Sequence, residues 1–547
     1  MSGQTGKAEG KILFAWLGIL ILAVFPLAFH SYADTTRFKM EAMLLMTTGM
    51  AFSAVCTFGY WRKGIRWKNL SRFLGLGYFV LTASSAFLGS MHDLSGPSGA
   101  VVWMGALRYE GMISQLCYGL IFLLMSMHPA DIRKVMHGAV IGMVIYAGIV
   151  GLQYAGQNPL RLFPGGRSIL TNYEFQGPLG NIDMVTVYLM IVIPLGILPY
   201  VLDGGREALR YMMLSIPGIL LIMMMEVQSG LIALVVGACL LVCLGLRRPG
   251  CRARMSFVLM IACLCGALRS CIGLPWLDGT ESVGFVWAHS YECIAFLVAA
   301  AGLMLLALLF RKHPGRQMAK KWLVTGLTGI LILAVALIYF FPFSPGQGAL
   351  YEMHAMLHGQ FDDSFGSYRL GVWKQTLRMS MNALWFGTGP DTFYYAFGDY
   401  LKAQALSFPE TFDTPHNLYL GILANHGLLA LLGYLAMLIC LIRKLARSNS
   451  TESMMLLGSC ILYSVTSFFV FSLCLISPLA WCIFGMAAGL ADNEEQTELG
   501  GHKDDQFITD KKQGQRSAPN EHAVSAADYS VSNASVTVSA DRNEHDA

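Results

Sequence analysis

The sequence predicts an all-α polytopic membrane protein with about 14 transmembrane helices and a long, partly helical outer loop. Three observations carry this. Hydrophobic residues make up 55% of the chain and charged residues 13%, roughly half the charged share of a soluble domain. Apolar runs of about 20 residues, the length that crosses a hydrocarbon core of about 30 Å, recur along the chain. Lys and Arg gather in alternate connecting loops, the mark of loops facing the cytoplasm. A net charge of +4 distributed in this way offers no basic face for nucleic acid.

The expected spans are 12–29, 40–60, 73–90, 111–127, 136–155, 182–201, 211–225, 230–246, 256–272, 289–310, 322–342, 416–440, 453–472 and 474–490. Ser31 and Ala33 after the first run imitate a signal-peptidase site. The run is longer than a signal core of about 7–15 residues, so it reads as an uncleaved first span. The basic loops hold Arg62 to Arg72, Arg133 and Lys134, Arg206 and Arg210, Arg247 to Arg254, Arg311 to Lys321, and Arg443 to Arg447. Their alternation holds to the last span and puts both termini in the cytoplasm.

This divides the chain into membrane helices 1–11 over 1–342, an extracytoplasmic loop over 343–415, membrane helices 12–14 over 416–490, and a tail over 491–547. A loop of this length is usually functional or carries structure of its own, and it is expected to form a small helical subdomain. The tail is polar and nearly without large apolar residues, so it is expected to be disordered and cytoplasmic. The 13 cysteines lie mostly inside apolar runs without metal-ligand spacing and read as small core residues. No internal repeat and no nucleotide-binding glycine loop stands out.

Loops on the outer side carry few cations, so those present are informative. Arg161 and Arg167 flank "RLFPGGR"; Arg369, Lys374 and Arg378 lie in "SYRLGVWKQTLR"; Arg108 is in "GALRYEG" and Arg269 in "ALRSCIG". Guanidinium binds phosphate and pyrophosphate through paired hydrogen bonds. Arg369, between Tyr368 and Trp373, is the strongest of these. Two helix starts lie on the same side. "GPLGNID" opens a helix near Asn181, and Thr414-Pro415-His416-Asn417 reads as an N-cap followed by Pro at the first helical position. The positive ends of such helices favour an anion. His416 is then expected in the first turn, neutral and able to accept a proton. His426, ten residues on, reads as a deeper packing or hydrogen-bonding residue. Asp362-Asp363 reads as a solvated acidic pair, and no metal site is expected.

"HNLYLGILANHGLLALLGYL", "RLGVWKQTLRMSMNALWFGTGPDTF" and "GPLGNIDMVTVYL" together resemble the O-antigen ligase and polysaccharide polymerase family. The resemblance implies a membrane glycosyltransferase at the outer face of the bacterial plasma membrane, acting in surface polysaccharide biosynthesis. Its donor would be a glycan on undecaprenyl pyrophosphate; its acceptor, a hydroxyl of a glycan, lipid or protein. No metal or other cofactor is implied. Carried over, His416 and Arg369 are catalytic, and Arg161, Arg167, Asn181, Trp373 and Asn417 bind substrate. Asp183, Gly230 and Ala430 depart from the family pattern, where Asn, Arg and Gly are frequent.

A lipid-linked oligosaccharide flippase or other polytopic transporter is the alternative. Transporters usually show internal repeats and helices broken at the midplane, and the long outer loop favours an enzyme. A membrane scaffold leaves the outer arginines without a purpose.

Overall fold

An apolar segment in a bilayer must satisfy its backbone internally, and this chain does so as helices. The structure, a computed structural model, describes residues 2–30, 34–62, 69–89, 98–106, 108–128, 130–164, 167–285, 290–313, 329, 332, 335–344 and 348–490. Residues 322–328, 330–331 and 333–334 of the expected span 322–342, and the whole of the tail 491–547, lie outside the described residues.

The helices are α1 (Gly10–Leu27), α2 (Thr35–Cys56), α3 (Leu70–Leu88), α4 (Met112–Met127), α5 (Ile132–Tyr154) and α6 (Ile182–Leu202). There follow α7 (Arg206–Met225), α8 (Gln228–Arg247), α9 (Arg252–Arg269) and α10 (Ser290–Lys312). The segment 343–415 contains α11 (Ala349–Leu357), α12 (Arg369–Ser380) and α13 (Phe393–Ala403). Last come α14 (Leu418–Arg447), α15 (Thr451–Thr466) and α16 (Ser477–Leu490).

Among the described residues, 9 helical stretches are long and apolar enough to cross a membrane, with α4 and α16 as shorter apolar helices. The protein is a multi-pass, all-α membrane protein, but fewer helices meet this measure than the expected fourteen or so. One expected span, 322–342, lies partly outside the described residues, and two others fall short for local causes. Helix α2 has 22 residues, but Lys39 and Glu41 dilute its apolar character. Lys39 turns inward, where its ammonium donates to the carbonyls of Phe25 (2.6 Å) and Pro26 (3.2 Å). Helix α15 has only 16 residues.

Helix α6 is the central post: 94% of its apolar window is buried, against 11% for the peripheral α10. Pro194 and Pro199 lie inside α6 and remove hydrogen bonds from its ladder. Helix α15 closes on this stretch. A Cβ at Gly458 would stand 2.9 Å from Pro194, and Ser459 donates to the Ile191 carbonyl at 2.7 Å. Helices α9 and α10 pack along each other and are joined by a two-stranded antiparallel hairpin, β1 (Ile272–Gly273) and β2 (Gly284–Phe285).

Helix α14 is broken at Gly427, where φ is 83° and ψ 176°. The segment Leu384–Gly389 fills the break. Thr388 N–H donates to the Ala424 carbonyl (3.0 Å), Gly389 N–H to Asn425 (2.8 Å), and Leu428 N–H to Leu384 (2.7 Å). Only glycine fits here: a Cβ on Gly427 would lie 2.4 Å from the Trp385 carbonyl oxygen. Irregular backbone at such depth is tolerated because protein, not lipid, satisfies it.

Candidate functional site

The His416 loop is built before α14 begins. Thr414 and Pro415 do not start the helix as expected. Asn417 caps it, its side chain accepting from Leu420 N–H at 3.1 Å, and Leu418 is the first helical residue. His416 is therefore not in the first turn; it sits ahead of the cap with φ of 47°, in the left-handed region. This conformation costs a non-glycine residue about 1–2 kcal/mol and persists only where neighbours enforce it. The neighbours are visible. Trp373 donates its indole N–H to the Pro415 carbonyl (2.8 Å), and His416 N–H donates to Thr414 Oγ1 (3.3 Å).

The imidazole of His416 stands edge-on to Phe471, with ring centres 5.1 Å apart. Its Nδ1 is buried and has no hydrogen-bond partner. Burial above all, then the charges of Arg369 and Arg108, lowers its pKa to about 4. The ring is neutral at physiological pH and keeps a nitrogen lone pair available.

Arg108 holds this loop from the other side. Its guanidinium binds Asp413 with Nε and Nη2, both at 2.7 Å, and lies 4.0 Å from the centre of the Phe471 ring. Arg108 and Asp413 also line a narrow cavity of about 60 Å³ with Glu110, Asp391, Asn425 and His426. Glu110 accepts from Ser472 (2.6 Å) and Tyr118 (2.5 Å). Burial raises its pKa to about 8, against the pull of those hydrogen bonds. Asp391 accepts from the N–H groups of Ala106 (2.7 Å) and Glu110 (3.2 Å), and burial raises it to about 6. At the deep end, His426 Nδ1 and Asn425 Oδ1 are buried without partners. His426 is thus a wall of the polar cavity and not only a packing residue.

Arg369 is the first residue of α12 and follows three left-handed residues, Gly366, Ser367 and Tyr368, with φ of 64°, 55° and 65°. A cation at a helix N-terminus opposes the macrodipole. Arg369 lines a second cavity, of about 320 Å³, with Gln228, Ser229, Gly348, Ala349 and Glu352. Three helices, α8, α11 and α12, begin at its wall. Their positive ends and the guanidinium make the cavity suited to an anion. The Arg369 charge reaches both His416 and Asp183.

The other expected residues are distributed unevenly. Asn181 caps α6, accepting from Asp183 N–H (3.0 Å) and Met184 N–H (3.2 Å). Asn417 caps α14 and lines the narrow cavity. Trp373 acts on the Pro415 backbone. Arg161 and Arg167 are exposed, on a loop over the small cluster of Leu162, Phe163, Ile169 and Phe175, and neither they nor His416 line either cavity. Arg269 pairs with Glu226 (2.8 Å) and Asp278 (3.3 Å). Lys374 pairs with Asp363 (3.3 Å). Glu110 and Asp391 are not singled out by the sequence; their only signal is their place inside the stretches "GALRYEG" and "FGTGPDTF". Among the described residues, no cluster of three or more His, Cys, Asp or Glu side chains has the arrangement of a metal site.

Residues 282–435 match the O-antigen ligase family. The match contains Arg369, Trp373, His416 and Asn417, runs past the break at Gly427, and excludes Arg161, Arg167 and Asn181. No curated protein matches the chain.

Proposed function

We propose that this chain, whose residues 282–435 match the O-antigen ligase family, transfers a glycan in surface polysaccharide synthesis. The donor is a glycan on undecaprenyl pyrophosphate, the acceptor is a hydroxyl of a glycan, lipid or protein, and the reaction takes place at the outer face of the bacterial plasma membrane. The observation that carries the reading is the His416 Nδ1, buried and unpartnered beside arginine charges. His416 accepts the proton as the acceptor hydroxyl attacks the anomeric carbon. The bond from that carbon to the pyrophosphate oxygen breaks, and the lipid pyrophosphate leaves with the developing charge.

Arg369 and the three helix starts of the 320 Å³ cavity stabilise that charge. A bound pyrophosphate also offsets the arginines that depress His416 and raises its basicity when a base is needed. The carrier's hydrocarbon chain has a matching place. Helix α8 leads from Gln228 and Ser229, at the Arg369 cavity, to Leu231, Leu234 and Ala238, which line an apolar cavity of about 440 Å³.

Proteoliposomes given a labelled lipid-linked glycan and an acceptor test the reading. Glycan transfer that is lost in Arg369→Ala supports it. Movement of the lipid across the bilayer with no transfer contradicts it and favours a flippase.

A further inference from the structure

Cys271 follows the end of α9, and Cys293 lies in the first turn of α10. Their sulfur atoms are 3.5 Å apart across 22 residues of sequence. Both side chains are buried, at 7% and 5% exposure, in a cluster with Ala267 and Phe296. The base of the intervening loop is already closed by the β1–β2 pairing of Ile272 with Phe285. A disulfide needs the sulfurs at about 2.05 Å, a short step from their 3.5 Å separation.

We infer that Cys271 and Cys293 form a disulfide that staples the α9–α10 turn. The inference rests on the outer-face reading above, since such bonds persist only in an oxidising compartment. The bond forms by thiol–disulfide exchange with a protein disulfide acting as oxidant. One cysteine thiolate attacks a sulfur of the oxidant and forms a mixed disulfide. The second cysteine displaces the oxidant. Two S–H bonds are lost, one S–S bond is gained, and two electrons and two protons reduce the oxidant to its dithiol.

The position gives the bond a purpose. Helix α10 is the least buried of the 9 spanning stretches among the described residues, and its packing is chiefly against α9. A covalent tie at the turn fixes its register. The same loop carries Asp278, which accepts from Arg269 Nη2 (3.3 Å) and from Leu274 N–H (2.7 Å).

The test alkylates free thiols with N-ethylmaleimide in intact cells making the full chain, then digests without reductant and analyses by mass spectrometry. The expected result is a linked peptide pair carrying Cys271 and Cys293, absent in Cys271→Ser and Cys293→Ser and separated by reductant. Alkylation of both cysteines overturns the proposal. Where both are alkylated, a membrane-impermeant maleimide is applied to Ser282→Cys in the Cys271→Ser, Cys293→Ser background, against the same background without it. Labelling from outside means the disulfide fails alone; no labelling means that the outer-face reading fails with it.

Discussion

Arg108 grips Asp413 through two hydrogen bonds of 2.7 Å, 305 residues apart in sequence. In sequence terms Arg108 is one more outer arginine suited to phosphate. In the structure two of its donors, on Nε and Nη2, are committed to a carboxylate three residues before His416. Its role is to hold the loop that presents the imidazole. Both partners keep some exposure, 21% and 24%, so solvent screens part of the attraction. Asp413→Asn is expected to lower stability by about 1–2 kcal/mol and to slow transfer more than it weakens lipid-pyrophosphate binding. Thermal unfolding in detergent and separate kcat and KM values check this.

The depressed pKa of His416 sets the acid side of the pH profile. Its neutral form persists down to about pH 4 because of burial and then the charges of Arg369 and Arg108. The acid limb of kcat/KM, which reports the free enzyme, is expected near pH 4 to 5 and not at the ordinary histidine value. Arg369→Gln removes one depressing charge, so the residual activity should show its acid limb shifted upward. For stability the sign is that of a base held neutral by folding. The contribution is full above the unfolded value of 6.5 and is lost as pH falls toward 4.

Glu110 has the opposite sign. Burial raises its pKa from 4.5 to about 8. Its stabilising contribution is full below 4.5 and is lost as pH rises through 8. Glu110→Gln keeps the shape and a hydrogen-bonding group without ionising. It is expected to fold and to flatten the decline of melting temperature between pH 5 and pH 9, which thermal unfolding across that range measures.

Gly427→Ala places a methyl group 2.4 Å from the Trp385 carbonyl oxygen at a φ of 83°. Left-handed strain and overpacking together are expected to cost about 2–5 kcal/mol. The helix break and the Leu384–Gly389 segment that fills it should separate, seen as new protease cleavage near Trp385 and a lower melting temperature.

These relationships differ in how far the sequence discloses them. Asn181 was legible as a helix start because a cap acts on N–H groups two and three residues away. The start of α14 was misplaced because Thr414-Pro415 and Asn417 are competing cap signals three residues apart. The left-handed turn at His416 settles the competition and depends on Trp373 and Arg108, which are distant in sequence. The break at Gly427 has no sequence signature, since its contact is backbone to backbone and leaves no side-chain pattern. The apolar runs disclosed the all-α membrane class, but among the described residues only 9 helical stretches are long and apolar enough to span, against about fourteen expected. Lys39 shows where that signal weakens: a cation satisfied by the carbonyls of Phe25 and Pro26 lowers the apolar character of its helix. Arg161 and Arg167 are exposed and line neither cavity, a placement the sequence does not disclose, because nothing local fixes how a loop lies over its neighbours.

The central claim is that His416 accepts the proton while other groups hold the lipid pyrophosphate. The most direct measurement is single-turnover transfer from a labelled lipid-linked glycan by His416→Ala in proteoliposomes, with lipid-pyrophosphate binding measured on the same samples. The account predicts binding close to that of the unaltered chain and transfer reduced by a factor of about 10² or more. Transfer by His416→Ala at the unaltered rate would contradict it.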